Sequence, residues 1–213
     1  MARPRSPAFE GQREAILAAA AQCFAAQGYT ATTMNAVASA CGVSKALLYH
    51  YVRDKHELLL QICLQHIARL QGLVAEVQAE RLPPAAHLRT LIARFTAAYA
   101  SAQNEHRVLT EDVKFLDAPQ REQVVAGERQ VVQAFSQAVA ALRPDLATAG
   151  LASPMAMLLL GMINWTFTWL KPEGALSHAT LAPLVSELFL GGLPDVRLPA
   201  AAPRAARPAS AVA

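Results

Sequence analysis

The chain has 213 residues, of which 54% are hydrophobic, 16% charged and 6% aromatic, and its formal net charge is +3. That length suits one large domain or a small one joined to a larger one. Abundant Ala and Leu, both strong helix formers, point to an all-α protein with a large core. Three widely spaced cysteines, Cys23, Cys41 and Cys63, argue against a disulfide framework or a zinc site and read as reduced core residues.

The charge is unevenly placed. Residues 1–56 carry six Lys/Arg against Glu10, Glu14 and Asp54, whereas the remainder carries thirteen of each sign. The whole excess therefore lies on the N-terminal quarter, as phosphate binding requires. No apolar run precedes Glu10, so a signal peptide is not expected. Met155–Leu170 is too short for a comfortable membrane span and contains Asn164 and two threonines. These features predict a cytoplasmic protein with no membrane partner.

In chain order, residues 1–9, with Pro4 and Pro7, read as a flexible arm. Gln12 to Gln27 has helical spacing of Ile16, Leu17, Ala20, Cys23 and Phe24, ended by Gly28. Thr32 or Thr33 is a candidate N-cap for a short helix with Met34, Val37 and Ala38 on one face. Gly42 falls where the chain must turn, and Ser44 is a second N-cap, opening a helix with Leu47, Leu48 and Tyr51 apolar. Two short helices around Cys41-Gly42-Val43 make the spacing of a helix-turn-helix, whose second helix enters a DNA major groove.

Asp54 and Glu57 form a capping pair for a long helix, about 54–80, which Pro83-Pro84 closes. Further helices are predicted over 85–103, 105–116 and from Pro119 to about Leu142, where Pro144 interrupts. Ser153-Pro154 suits the start of an apolar helix through Leu170. Lys171-Pro-Glu-Gly174 reads as a turn, and Ser177 or Thr180 begins a last helix ending near Gly191-Gly192. The Pro-, Ala- and Arg-rich tail, 194–213, is predicted to be disordered.

The run Gly28-Tyr29, Thr32-Thr33-Met34, Val37-Ala38, Ala40-Cys41-Gly42-Val43-Ser44, Leu48-Tyr49-His50-Tyr51 and Lys55-x-Glu57-Leu58-Leu59 resembles the TetR family of bacterial transcriptional regulators. Ala46, Leu47 and Val52 depart from that pattern. The resemblance implies an all-α homodimer of about nine helices. Its three-helix DNA-binding domain would be 10–56 and its ligand-binding and dimerisation domain 57–193. It also implies a repressor that leaves a palindromic operator when a small-molecule inducer binds. Glu111-Asp-Val-Lys-Phe-Leu116, just before the Pro119 helix, resembles regulators of aromatic- or fatty-acid catabolism that respond to acyl-CoA thioesters.

Lys45, Tyr49 and His50 project opposite Leu48 and are candidates for DNA contact, with Ala46 beside them. Thr33, Ser44 and Lys55 are candidate phosphate contacts, because helix N-termini and flanking lysines bind anions; simple capping is the alternative. Tyr51 either packs within the head or meets phosphate. Arg3 and Arg5 are either a minor-groove arm or a plain tail. Candidate pocket residues are Phe95, Tyr99, Phe115, Asn164, Trp165 and Trp169, since ligand cavities combine aromatic walls with a few polar groups. His106, Arg107 and Lys114 either pair with an anionic inducer or lie on the surface. The nearly all-apolar helices Met155–Leu170 and Leu181–Leu190 suit a four-helix dimer interface.

An enzyme is not expected. No Glu has His three residues on, as a di-metal bundle needs, and no phosphate loop or nucleophile elbow occurs. No cofactor or metal is called for. A DNA-binding regulator without an inducer, or one switched by cysteine oxidation, is the alternative reading.

Overall fold

The computed structural model describes residues 7–170, 174 and 176–198. Among these residues the chain is all-helical, with nine helices of seven residues or more and two of a single turn. Arg3, Arg5 and most of the predicted 171–174 turn lie outside the described residues.

The head is α1 (Pro7–Gln27), α2 (Met34–Ala40) and α3 (Lys45–Tyr51). α1 begins at Pro7, so the predicted arm is shorter than 1–9, and Phe9 stacks on Tyr51 with ring centroids 4.5 Å apart. Thr33 caps α2 by accepting from the Ala36 amide, and Ser44 caps α3 by accepting from the Leu47 amide. Thr32, the other candidate cap, is buried and donates its hydroxyl to the Gly28 carbonyl instead. Gly42 at φ +66° makes the turn between the two helices, a conformation glycine reaches without steric cost. Ile16, Phe24, Val37, Leu48 and Val52 are buried between the three helices.

α4 (Lys55–Ala79) leaves the head and belongs to both apolar cores. Its length and hydropathy would pass for a membrane span. In the fold its apolar face is covered instead, with Leu58, Leu59, Ile62 and Cys63 in the head-side core and Leu70, Val74 and Val77 in the second. Around it pack α5 (Pro84–Ser101), α6 (Gln103–Asp112) and α7 (Ala118–Leu142), with α9 (Ala152–Asn164) against α7 and α11 (His178–Gly192) against α5. α8 (Pro144–Thr148) is the turn that Pro144 begins. Gly127 lets α7 lie directly on α4: a Cβ there would collide with the Ile67 Cγ2 methyl.

Three details differ from the sequence expectations. The predicted Ser153–Leu170 helix breaks at Trp165, leaving the short α10 (Thr166–Trp169). Its N-cap is Leu151, without a side-chain bond, rather than Ser153. The chain stays ordered past residue 194, because Arg143 donates to the carbonyls of Leu193, Pro194 and Val196. Ser177, by contrast, is the cap of α11 in a full capping box with Thr180.

Candidate DNA-binding face and ligand cavity

On α3 the residues opposite buried Leu48 are exposed together: Lys45, Ala46, Leu47, Tyr49 and His50. Tyr49 is 44% exposed and the Lys45 ammonium lies 6.0 Å from its ring centroid. A face with a cation, a phenol and an imidazole supplies donors for guanine edges and phosphate oxygens. Thr33 and Ser44 are exposed at the N-termini of α2 and α3, where orphan amides attract anions.

Lys55 needs a different role from the one expected. Its ammonium donates to the carbonyls of Tyr29 (2.8 Å), Thr30 (3.1 Å) and Thr32 (2.9 Å), and it lies 4.5 Å from the Tyr29 ring centroid. A lysine has three donors, so all three are used in tying the α1–α2 loop to the start of α4. A phosphate contact would have to break that tie. Tyr51 is half-buried between Phe9 and His50 and acts as packing.

The six candidate pocket residues separate into two groups. Tyr99, Asn164 and Trp165 line a cavity of about 540 Å³ bounded by α4, α5, α6, α7 and α9. Phe95 does not reach it: it is wholly buried edge-to-face against Phe135, at 4.9 Å. Phe115 lies outside, in an open cleft between head and body, where it stacks on Tyr29 at 5.1 Å. Trp169 is exposed on α10 and does not line the cavity. The cavity sits on the seam between the two cores, since Ile67 and Leu109 come from the head-side core and Leu70, Val131 and Leu160 from the other.

A buried polar chain borders it. His66 Nε2 is 3.2 Å from His106 Nδ1, and His106 Nε2 is 3.0 Å from the Asn164 carbonyl oxygen. A carbonyl only accepts, so His106 Nε2 carries the proton; neutral His106 then accepts at Nδ1, and His66 Nε2 donates. Asn164 can offer that oxygen because the helix breaks there, the Thr168 amide turning to Trp165 instead. Burial pulls both imidazoles down, His66 to about 3 and His106 to about 4. His106, weighed from sequence as a surface residue, is therefore a neutral core group stacked on Tyr99 at 3.8 Å. Nothing in the sequence announced this pairing, because His66 and His106 lie forty residues apart on different helices.

Glu128 on α7 was also missed. It lines the cavity half-buried, and burial pushes its carboxyl up. Cys23 and Cys63 are buried and Cys41 half-buried, and burial raises all three thiols, Cys63 to about 12. Reactive cysteines need depressed acidity, so the thiols are poorly suited to an oxidation switch.

Comparison with known proteins places the chain. Residues 16–62 match the family model described as bacterial regulatory proteins, tetR family, and residues 81–193 match the tetracyclin repressor-like C-terminal domain. A TetR-family transcriptional regulator from Bordetella parapertussis is 33% identical with TM-score 0.81, covering 88% of this chain and 98% of its own. The HTH-type transcriptional repressor KstR2 of Rhodococcus jostii is 25% identical over 186 residues, 86% of this chain and 91% of the relative. AibR, solved with isovaleryl coenzyme A and operator DNA, is 24% identical with TM-score 0.72 over 83% of this chain and 97% of its own, a likeness of fold. With a helix-turn-helix in the first match and most of the cavity-lining helices in the second, the chain is a DNA-binding transcriptional regulator and belongs to the TetR family.

Proposed function

We propose that the protein is a repressor that binds a palindromic operator as a homodimer and releases it when a small molecule fills the cavity on the seam. One observation carries this reading. α6 lines the cavity with His106, Leu109 and Thr110 and also packs against α1 of the head. A ligand that displaces α6 therefore acts on the head through packed side chains, and it shifts the DNA equilibrium by its differential affinity for the two arrangements.

Lys45, Tyr49 and His50 are assigned to base and phosphate contacts, Ala46 to close approach of α3 to the groove, and Thr33 and Ser44 to phosphates. Dimerisation is assigned to the outward faces of α9 and α11. There Leu158 is 62% and Leu188 67% exposed, beside Met157, Met162 and Leu184. Contiguous apolar surface of this kind marks an interface, and a two-fold dimer sets two heads on half-sites about 34 Å apart. Such a regulator works where the chromosome is, in the cytoplasm.

The test is fluorescence anisotropy on DNA from upstream of the protein's own gene. Lys45→Ala with Tyr49→Ala is expected to weaken binding by about 1–3 kcal/mol for each base-edge interaction removed, with circular dichroism unchanged. Unchanged affinity would remove α3 from the groove.

A further inference from the structure

Among the described residues Glu128 is the one charged side chain that lines the cavity, and no Lys or Arg does so. No hydrogen bond or ion pair reaches its carboxylate among the described residues. The neighbouring Arg129 is engaged by Glu122 at 2.6 Å, and Gln130 is bonded to Gln71. Glu128 lines the cavity with Tyr99 of α5, and its charge adds to burial, the larger cause, in raising the Tyr99 hydroxyl and the Cys63 thiol of α4. It follows Gly127, where α7 lies directly on α4.

A half-buried carboxylate with no partner is partly stripped of water, which disfavours its charge unless something of opposite charge meets it. An anionic ligand would add to that cost, and a cation would remove it. The other walls favour the cation as well: Trp165, half exposed, contributes an aromatic ring of the kind that attracts alkylammonium groups, beside Tyr99. Asn164 adds an amide whose oxygen is buried with no partner among the described residues. Apolar Ile67, Leu70, Val131 and Leu160 complete a space of drug-like size.

We infer that the cavity takes an apolar molecule bearing a cationic nitrogen, such as a protonated or quaternary amine, with Glu128 as its counter-charge; this rests on the reading that the cavity is the inducer site. The acyl-CoA thioester expected from residues 111–116 becomes a competing outcome. Those residues lie at or beyond the open cleft, and only Val113 also lines the cavity.

The experiment uses the full chain at neutral pH and three probes of one skeleton, phenylbutylamine, phenylbutanol and phenylbutyrate, with phenylacetyl-CoA as a fourth. Quenching of tryptophan emission in a Trp169→Phe background, which leaves Trp165 as the reporter, and melting temperature are the readouts. The amine is expected to bind at least about ten-fold tighter than the alcohol, with butyrate weakest. Glu128→Gln should bring the amine down to the alcohol and leave the alcohol unchanged. That variant loses an unpaired charge, so it should melt no lower than the parent. Tighter binding of butyrate or the thioester, or a preference for amine that survives Glu128→Gln, overturns the inference. Val132→Trp, which fills the cavity, separates the cavity reading from the charge inference. If it abolishes binding of a preferred anion, the cavity reading stands and the charge inference falls. If no probe binds, or if Val132→Trp leaves binding unaltered, both fall.

Discussion

Head and body end their helices in different ways. In the head, α2 and α3 each begin on a side-chain cap, Thr33 and Ser44, and α4 leaves the head on a third, Asp54. In the body, α5, α6, α8, α9 and α10 have no side-chain cap bond, and only α7 and α11 carry one. The interiors differ as well. Phe24, Val37, Leu48, Leu58 and Leu59 give the head-side core a dry apolar centre. The body opens against α6 into a cavity edged by the His106 imidazole, an amide and a carboxylate. The head is built to hold one shape, whereas the body keeps polar groups and space that a second molecule can use.

Acid breaks this contrast most strongly. His66 and His106 stay neutral in the fold, to about 3 and about 4, while an unfolded histidine protonates near 6.5. The unfolded state therefore binds more protons between about pH 6.5 and 4. Their contribution is complete above 6.5 and is lost as pH falls through that window, by about 2 kcal/mol per histidine from pH 7 to pH 5. Guanidinium unfolding at the two pH values measures it. His66→Gln with His106→Gln should flatten the slope; an equal slope in parent and variant would show that the pair is not held neutral.

The caps give a smaller effect that sharpens the comparison. Ser44→Ala removes the hydroxyl that accepts from the Leu47 amide and should cost about 1 kcal/mol, with loss of operator affinity. Ser153→Ala, at the position expected to cap α9 but sitting inside it, should leave stability within about 0.5 kcal/mol. Thermal melts of both variants check the pair. An equal loss would mean that capping does not distinguish the two regions.

The same difference explains what was legible in the sequence. Thr33, Gly42, Ser44 and Asp54 announce the head because each acts within a few residues of itself. The helices of the body were legible too, from apolar spacing and from Pro84, Pro119 and Pro144. The cavity was less so. Tyr99, Asn164 and Trp165 were foreseen as an amide and aromatics in apolar helices, but Phe95, Phe115 and Trp169 satisfy that description equally and lie elsewhere. Which aromatic faces a void depends on helix rotation and on the break at Trp165, both products of tertiary packing. The structural role of Lys55 was hidden for a similar reason, since its three carbonyl partners come from a loop more than twenty residues away.

The proposed repressor works only if the cavity and the DNA-binding face are coupled through α6. Operator affinity of Val132→Trp, measured by anisotropy beside the parent, tests it most directly. The new indole, placed on the cavity wall, stands in for a ligand, and its blue-shifted emission reports that the space is filled. Coupling through α6 predicts a folded protein with operator affinity reduced at least about ten-fold, equivalent to roughly 1.4 kcal/mol or more. Parental affinity with the cavity filled would contradict it.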